Sequence, residues 1–183
     1  MSIKIQDLVH SYVRISQHCP ITISIEEGSA LAICGANGAG KTTMLKLLLG
    51  EVMPKKGQVE IPMAFAYLGV KNGLKPGLLI REQLPFFLVT EQKFPWPHFF
   101  NLKFEDLSSG QQRLLALWIT VFSQKPLILL DEPFSHLDAR GREHACLWIN
   151  QQIGFGKIII FTAHDDQDLK EITALQVLNL NDI

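Results

Sequence analysis

The sequence predicts an α/β domain, in which a mainly parallel sheet is covered by helices and a smaller antiparallel sheet lies beside it. Three apolar runs contain no polar residue, as strands buried on both faces of a parallel sheet do: Ala30–Cys34, Leu127–Leu130 and Ile158–Phe161. Near the start of the chain, isoleucines alternate with polar residues over Ile3–Ile5 and Ile21–Ile25. This alternation is typical of antiparallel strands that expose one face, and it predicts the smaller sheet.

Helical patterns separate the apolar runs, as they do in the α/β class. In the fourth of these patterns, Ala145, Trp148, Ile149 and Ile153 fall on one face of the predicted helix. The segments predicted to be helical are a stretch after Gly40, a stretch around Ile80–Val89, and then Gly110–Phe122, Ala139–Ile153 and Asp165–Ile172.

Residues 71–106 do not follow this alternation of strands and helices. They contain Pro76, Pro85, Pro95 and Pro97, and they include the aromatic run FPWPHFF at Phe94–Phe100. Proline removes a backbone donor and interrupts a helix. We therefore predict a short, partly helical insertion within a single domain that spans residues 1–183.

Size and composition indicate one folded domain without a global attraction to polyanions. The chain has 183 residues, of which 47% are hydrophobic and 19% charged, which excludes a disordered protein. A net charge of −1 favours neither nucleic acid nor an anionic membrane surface, so any anion must bind at a local site. The N-terminus lacks the apolar core of a signal peptide, and no apolar stretch is long enough to cross a bilayer. We expect a soluble chain with reduced cysteines that reaches a membrane only through a partner.

The run GANGAGKT, from Gly35 to Thr42, matches the pattern G-x-x-x-x-G-K-[ST] and lies between a buried strand and a helix. In such a loop the glycines let backbone N–H groups converge on phosphate oxygens at the helix N-terminus. Lys41 then neutralises the β- and γ-phosphates, and the Thr42 hydroxyl binds Mg²⁺. The flanking strand and helix disfavour a chance glycine-rich turn. The residues expected to bind phosphate are Gly35, Asn37, Gly38, Ala39, Gly40, Lys41, Thr42 and Thr43.

Two further strands end in residues suited to phosphate hydrolysis. The run LILLDE ends in Asp131, which we expect to hold Mg²⁺, and in Glu132, which we expect to act as general base on the attacking water. The run IIIFTAH ends in His164, at the carboxyl edge of the sheet where ligands bind. We assign His164 to the γ-phosphate and the attacking water. The predicted catalytic residues are Lys41, Glu132 and His164.

These motifs, in this order, resemble those of the ATP-binding cassette (ABC) ATPases over nearly the whole chain. GANGAGKTT is similar to the Walker A loop, LILLDEP to the Walker B strand, and SHLD, which ends at Asp138, to the D-loop. The resemblance implies a P-loop NTPase of the RecA-like class that hydrolyses ATP with Mg²⁺. It also implies that His164 is the switch histidine and that Tyr12 stacks on adenine, the alternative for Tyr12 being a core aromatic.

The run LSSGQQR, at Leu107–Arg113, resembles the family's LSGGQ signature. In the family, two cassettes pack head to tail, and the signature of one closes over ATP held by the Walker A loop of the other. The resemblance therefore implies a homodimer with two ATP molecules at the interface. The signature residues expected to contact ATP in trans are Ser108, Ser109, Gly110 and Gln111.

The run YLGVKNGLKPGLLIREQL, from Tyr67 to Leu84, most resembles the haem exporters of cytochrome c maturation, the CcmA family. That resemblance implies a membrane subunit of the CcmB type, a location at the cytoplasmic face of the inner membrane or the mitochondrial matrix face, and export of haem or release of a haem-loaded chaperone. The chain departs from the wider ABC family at Val70, where a glutamine is usual. Either a nearby polar group compensates, or the insertion is coupled more loosely to the nucleotide.

The aromatic side chains of the insertion suggest a docking surface for the membrane subunit, since large exposed apolar patches mark partner sites. A local core within the insertion is the alternative. The aromatics concerned are Phe86, Phe87, Phe94, Trp96, Phe99 and Phe100.

Three other functions stay open from the sequence: the ATPase of another small ABC transporter, a soluble non-transport ABC ATPase, and a nucleotide-binding subunit that hydrolyses little. Glu132 and His164 argue against the last of these. A GTPase is disfavoured because the chain lacks an N-K-x-D motif.

Overall fold

Two sheets form the framework of the computed structural model, which describes residues 2–9, 20–85, 94–164 and 169–181. The larger sheet has five parallel strands in the order β5-β6-β7-β3-β8. These strands are β3 (Ala30–Cys34), β5 (Phe65–Leu68), β6 (Leu127–Leu130), β7 (Ile158–Ala163) and β8 (Leu175–Asn179). The three central strands are almost wholly buried, because helices and the second sheet cover both of their faces.

The smaller sheet is antiparallel and has the order β2-β1-β4. Its strands are β1 (Ser2–Val9), β2 (Ile21–Glu26) and β4 (Lys56–Glu60). The pairing of β1 slips between Gln6 and Val9, where Asp7 has a positive φ of 48°. Opposite this irregularity, a Cβ on Gly57 would lie 2.3 Å from the carbonyl oxygen of Asp7, so only glycine fits there.

In the described residues, four α-helices connect the strands: α1 (Lys41–Leu48), α2 (Ile80–Gln83), α3 (Ser109–Val121) and α4 (Ala139–Gly154). Short 3₁₀ turns cover Pro97–Phe99 and Phe104–Asp106. The apolar faces of α3 and α4 pack on one side of the large sheet, whereas α1 and the small sheet pack on the other. One apolar core thus lies on each side of the parallel sheet, and packing on both sides fixes the position of the sheet's carboxyl edge.

The fold class predicted from the sequence is confirmed: a mainly parallel sheet, an antiparallel sheet beside it and a short inserted segment. The predicted helix around Ile80–Val89 is present over Ile80–Gln83 and is wrong at Leu84, whose backbone is extended before Pro85. Residues 86–89 lie outside the described part of the chain. The predicted helix Asp165–Ile172 is wrong over its described part, since residues 169–171 form a turn. Residues 165–168 lie outside the described part of the chain.

The described aromatic residues of the insertion contact the core beneath α3 and α4. Phe94 and Phe99 are each 7% exposed. The Phe94 ring lies edge-on to Trp118 of α3 at 5.3 Å between centroids, and Trp96 lies edge-on to Trp148 of α4 at 5.7 Å. The structure therefore buries part of the set expected to form a docking surface. Phe86 and Phe87 lie outside the described residues.

Candidate active site

The predicted site residues follow three adjacent strands of the parallel sheet. Cys34, the last residue of β3, pairs with Ala163 of β7, and Leu130, the last residue of β6, pairs with Phe161. The segments that follow these strands therefore leave the same edge of the sheet. They bring the phosphate-binding loop, the two carboxylates and His164 to one place, as the carboxyl edge of a parallel sheet does with ligand-binding groups.

The phosphate-binding loop turns sharply before α1. Gly40, the residue that precedes the helix, has a φ of 102°, a conformation that glycine adopts without strain. Lys41 is 6% exposed, and its Nζ donates to the carbonyl oxygens of Gly35 at 2.7 Å and Ala36 at 3.1 Å. The ammonium group is thus held inside the curve of the loop, at the N-terminus of a helix, where an anion is favoured.

Thr42 and Asp131 contact each other across the base of this loop. The Thr42 hydroxyl donates to Oδ2 of Asp131 at 3.1 Å, and the Thr162 hydroxyl donates to Oδ1 at 2.9 Å. Asp131 is 1% exposed, so its carboxylate has a fixed orientation. A hydroxyl and a carboxylate beside a phosphate loop are the hard oxygen donors that Mg²⁺ prefers. These residues fit the metal that the sequence implies.

Glu132 and His164 form a pair at the mouth of the site. Oε1 of Glu132 lies 2.8 Å from Nε2 of His164, and the two side chains are 33% and 42% exposed. A surface cavity of about 290 Å³ opens here, and it brings together most of the residues predicted from the sequence. Its lining consists of Asn37, Gly38, Gly40, Lys41, Thr42, Thr43, Glu132 and His164.

The signature residues lie elsewhere on the molecule. Ser108 precedes α3, and its hydroxyl accepts from the backbone N–H of Gln111 at 3.3 Å, while Oε1 of Gln111 accepts from the N–H of Ser108 at 2.9 Å. Gly110 lies so close to the D-loop that a Cβ would be 2.9 Å from the carbonyl oxygen of His136. Asp138 caps α4 by accepting from the N–H of Gly141 at 2.7 Å.

A second cavity, of about 570 Å³, opens at these signature residues. It is lined by Ser108, Gly110, Gln111 and Asp138, with His136 among their neighbours. None of its lining residues also lines the cavity at the phosphate loop. In the described part of a single chain, the signature and the phosphate loop therefore belong to two separate cavities.

The structure does not test the prediction for Tyr12, and it shows where Val70 lies. Tyr12, the expected adenine-stacking residue, lies outside the described residues. Val70 is 64% exposed and apolar, so it offers no polar group to the site.

Arg113, a functional candidate that the sequence reasoning missed, contacts the main chain of Glu132, the predicted general base. It is 1% exposed and donates to main-chain oxygens at the end of β6. Burial lowers the pKa of its guanidinium, and the nearby charges of Asp131 and Glu132 raise it in opposition. The sequence did contain one signal. Arg113 stands directly before the apolar run LLALWI, which indicates the buried part of a helix, and a charged side chain is rarely buried without partners.

No helix in the described residues is long and apolar enough to cross a membrane. Among those same residues, no group of three or more histidine, cysteine or acidic side chains is arranged to bind a metal ion. A Mg²⁺ site made by one carboxylate, one hydroxyl and nucleotide phosphates is of a different kind, because the phosphates supply the remaining ligands.

Comparison with known proteins identifies a matching family model and several similar proteins. The family model described as "ABC transporter" matches residues 19–135. The chain is 32% identical, over 156 residues, to the "Cytochrome c biogenesis ATP-binding export protein CcmA" of Hyphomonas neptunium, covering 79% of this chain and 80% of that protein. It is 31% identical, over 188 residues, to the "Thiamine import ATP-binding protein ThiQ" of Aliivibrio fischeri, covering 83% of this chain and 76% of that protein.

Solved structures share the fold. The dimeric structure of a bacterial ABC transporter cassette superposes with a TM-score of 0.77 at 21% identity, covering 97% of this chain and 94% of that chain. An ATP-binding subunit of an ABC transporter superposes with a TM-score of 0.79 at 21% identity, covering 98% and 87%. At these identities the likeness shows that the same architecture is present.

Proposed function

The chain belongs to the ABC transporter family, whose cassettes bind and hydrolyse ATP to drive transport, and on that basis we propose that it energises a haem exporter of cytochrome c biogenesis. The observation that carries the subfamily proposal is the similarity to several proteins named for cytochrome c biogenesis and export, among them one from Rhodopseudomonas palustris that is 34% identical over 157 residues. The run from Tyr67 to Leu84, which resembles that subfamily, supports the same choice.

In the proposed reaction, the N–H groups of the loop Gly35–Gly40 and the Lys41 ammonium bind the β- and γ-phosphates of ATP. The Thr42 hydroxyl and the Asp131 carboxylate would hold Mg²⁺, which would supply positive charge to offset that of the phosphates. The Glu132 carboxylate accepts a proton from the water that attacks the γ-phosphorus, the bond from that phosphorus to the β,γ-bridging oxygen breaks, and ADP leaves. Its position 2.8 Å from His164 lets the imidazole orient this carboxylate and contact the γ-phosphate.

We further propose that a second copy of the chain completes each ATP site. The signature and the phosphate loop line separate cavities in one chain, which supports an arrangement in which each faces its counterpart on the other copy. The N-terminus of α3 at Ser108 offers backbone N–H groups and a helix dipole to a phosphate. Ser109 replaces the glycine that is usual in the family, and its small side chain is exposed. The proposed assembly is a homodimer with two ATP molecules.

The proposed membrane partner is an integral protein of the CcmB type, which would hold the chain at the cytoplasmic face of the inner membrane or at the mitochondrial matrix face. Residues 71–106 are the proposed contact. Because Phe94 and Phe99 are buried, the apolar side chains available to a partner there include Leu78, 41% exposed, and the adjacent Val70. We therefore propose that the partner contacts these exposed apolar side chains at the start of the insertion, rather than its buried aromatic residues.

Complementation tests the subfamily proposal. The gene is expressed in a bacterium that lacks its own CcmA, together with the CcmB-type protein from the same source as this chain, and haem covalently attached to c-type cytochromes is measured by haem staining. We expect the attached haem to return, and Lys41→Ala, which removes the phosphate-binding ammonium, to abolish the recovery. Absence of recovery with a well-expressed chain would contradict the haem-exporter assignment.

A second candidate is the ATPase subunit of another small ABC transporter, such as an importer. The 31% identity to a thiamine import protein favours it, since this value is close to that of the cytochrome c biogenesis proteins. Thiamine uptake, measured in a strain that lacks its own thiamine importer ATPase, distinguishes the two candidates. If the chain is instead a soluble, non-transport ABC ATPase, no membrane protein should co-purify with it from either strain.

A further inference from the structure

Arg113 is a buried cation that joins three parts of the site. Nη1 donates to the carbonyl oxygen of Gly69 at 2.8 Å and to Oδ1 of Asn72 at 3.1 Å. Nη2 donates to the carbonyl oxygens of Asp131 and Glu132, the latter at 2.8 Å. Arg113 belongs to α3, the helix that begins at the signature. One guanidinium therefore connects the signature helix, the end of the catalytic strand and the segment that follows β5.

The contact with Glu132 acts on the catalytic carboxylate through the main chain. Glu132 has a φ of 50°, a left-handed conformation that residues with a Cβ rarely adopt. Its N–H donates to the Thr162 hydroxyl at 2.7 Å, and its carbonyl oxygen accepts from Arg113. The peptide groups on both sides of the Glu132 Cα are thus fixed. Together they set the direction in which the carboxylate reaches His164.

The contacts with Gly69 and Asn72 lie where this chain departs from its family. Val70 is apolar and exposed, so no side chain at this position reaches the site. The main chain of Gly69 and the side chain of Asn72, on either side of Val70, are nevertheless held by Arg113. The segment after β5 is therefore tied to the catalytic strand through a guanidinium on α3, without a contribution from residue 70.

The signature lies close to Arg113 along the same helix. Arg113 lies within about one and a half helical turns of Ser108, and a helix of this length moves as a rigid body over such a distance. A displacement of the signature end, of the kind that closure on a second copy would cause, is therefore passed to the carbonyl groups of Asp131 and Glu132.

We propose that Arg113 is a positioning residue for ATP hydrolysis: it orients Glu132 and couples that orientation to the signature helix and to the segment Gly69–Asn72. Arg113 lines neither cavity, and the proposed role involves no proton transfer by its guanidinium. The alternative is that Arg113 is structural, because a buried guanidinium needs acceptors wherever it lies. The two roles differ in their effect on kcat in correctly folded protein. The inference rests on the proposed hydrolytic function of Glu132.

The test compares ATP hydrolysis by the full-length wild-type chain with that of Arg113→Lys and Asn72→Ala. Lysine keeps the charge but presents one point of contact, so it cannot serve both pairs of acceptors. We expect kcat, expressed per ATP-binding site, to fall about 10- to 100-fold in Arg113→Lys, while the Kd for ATP changes less than about threefold. Asn72→Ala, which leaves Arg113 in place on a half-buried segment, should lower kcat by a smaller factor.

Lys157, which is half-buried, supplies the control for loss of a cation that binds main-chain carbonyl oxygens away from the site. Its Nζ donates to the carbonyl oxygens of Val121 at 3.1 Å and Ser123 at 2.6 Å, at the far end of α3 from the signature. Lys157→Met should lower the melting temperature and leave kcat per binding site unchanged. In Arg113→Ala, free guanidinium added to the assay should restore part of the lost kcat, whereas Lys157→Met should not respond to it.

Two outcomes overturn the inference. One is wild-type kcat in both Arg113→Lys and Asn72→Ala. The other is a loss of activity in Arg113→Lys that follows the loss of ATP-binding sites, as destabilisation alone would produce, with no loss in Asn72→Ala. If the wild-type chain does not hydrolyse ATP at all, the proposed function itself fails, and this result is distinguishable because it precedes any comparison of variants.

Discussion

At the scale of single residues, the candidate site depends on side chains whose directions are set by buried neighbours. Asp131 is 1% exposed and accepts hydrogen bonds from the hydroxyls of Thr42 and Thr162. Glu132, the next residue, is one-third exposed and points to His164. Adjacent carboxylates on one strand end thus have different surroundings. The buried one suits a metal ligand of fixed geometry, and the exposed one suits a base that must meet water.

Glu132→Gln tests this division of roles. Glutamine has nearly the same shape and keeps a hydrogen-bond acceptor, but it cannot take a proton from water. We expect kcat for ATP hydrolysis to fall at least about 100-fold, with the Kd for ATP little changed and a dimer that persists longer in ATP. Hydrolysis is measured by phosphate release and the oligomeric state by light scattering.

The matched control is Glu143→Gln, a change to an exposed carboxylate on α4 that lines neither cavity. It should keep wild-type turnover. If Glu132→Gln also keeps wild-type turnover, Glu132 is not the general base.

At the scale of elements, the sequence predicted the central strands and missed those at the edges. Strands β3, β6 and β7 are unbroken apolar runs because both of their faces are buried. β5 and β8 lie at the two edges of the parallel sheet and are half-exposed. β5 is a run of only four residues, FAYL, and β8, LQVLN, mixes polar and apolar residues without a clear period. A sequence pattern reports burial, and it identified strands where burial is uniform, as in β3, β6 and β7, or where buried and exposed residues alternate, as in β1 and β2.

The residues of the candidate site could likewise be predicted only where a recognisable strand precedes them. The phosphate loop, the two carboxylates and His164 were predictable because each directly follows a uniformly buried strand. Arg113 was not predictable as part of the site. Its acceptors are mainly carbonyl oxygens from distant segments, and backbone groups leave no trace in the residue types of a sequence.

Hydrogen bonds from main chain to side chains, together with one backbone bridge, connect parts of the inserted segment 71–106. Both carboxylate oxygens of Glu105 accept from the N–H of Gly77 at 3.0 Å. Oε1 of Gln83 accepts from the N–H of Lys75 at 2.6 Å, and Leu79 pairs with Lys103. These contacts join the start of the insertion to its end and so fix its outline.

The Glu105 contact predicts a pH dependence of stability. The hydrogen bond from the N–H of Gly77 lowers the pKa of Glu105 from its usual 4.5. A carboxylate whose pKa is lower in the folded state adds stability that is complete above about pH 4.5 and is lost as the pH falls through the folded-state pKa. Acidification through this range should therefore lower the melting temperature more in wild type than in Glu105→Gln, as followed by circular dichroism.

Glu60→Gln, which removes an exposed carboxylate on β4, is the control for the change of net charge. Its melting temperature should follow that of wild type with pH more closely than Glu105→Gln does. If the melting temperatures of wild type and Glu105→Gln change equally with pH, the contact with Gly77 does not favour the ionised over the protonated carboxyl group, and the prediction is wrong.

At the scale of the whole molecule, the described part of the chain has two separate cavities, and we propose that each forms half of an ATP site. The cavity at the Walker A loop contains the groups proposed to bind and hydrolyse ATP, and the cavity at the signature lies at the N-terminus of α3. A solved cassette of the same fold is dimeric. Joining the two kinds of cavity between copies would surround ATP on both sides, which is the basis of the proposed homodimer.

Ser108→Arg tests the composite site, since it leaves every residue of the Walker A cavity in place. The arginine side chain would project from the N-terminus of α3 and also remove the hydroxyl that accepts from Gln111. We expect the variant to bind ATP with wild-type affinity, but to neither dimerise in ATP nor hydrolyse it, because bulk at this point blocks approach of a second copy. The control Ser108→Thr keeps the capping hydroxyl and should retain activity.

Mixing the variants gives the sharper result. Ser108→Arg carries an intact Walker A cavity and a blocked signature, whereas Lys41→Ala carries the reverse. A mixed dimer therefore contains one site made of both intact halves and one made of both damaged halves. Phosphate release should recover in the mixture to at most about half of the wild-type rate if one composite site works alone. Hydrolysis by Ser108→Arg at the wild-type rate while monomeric would show that a single chain is sufficient.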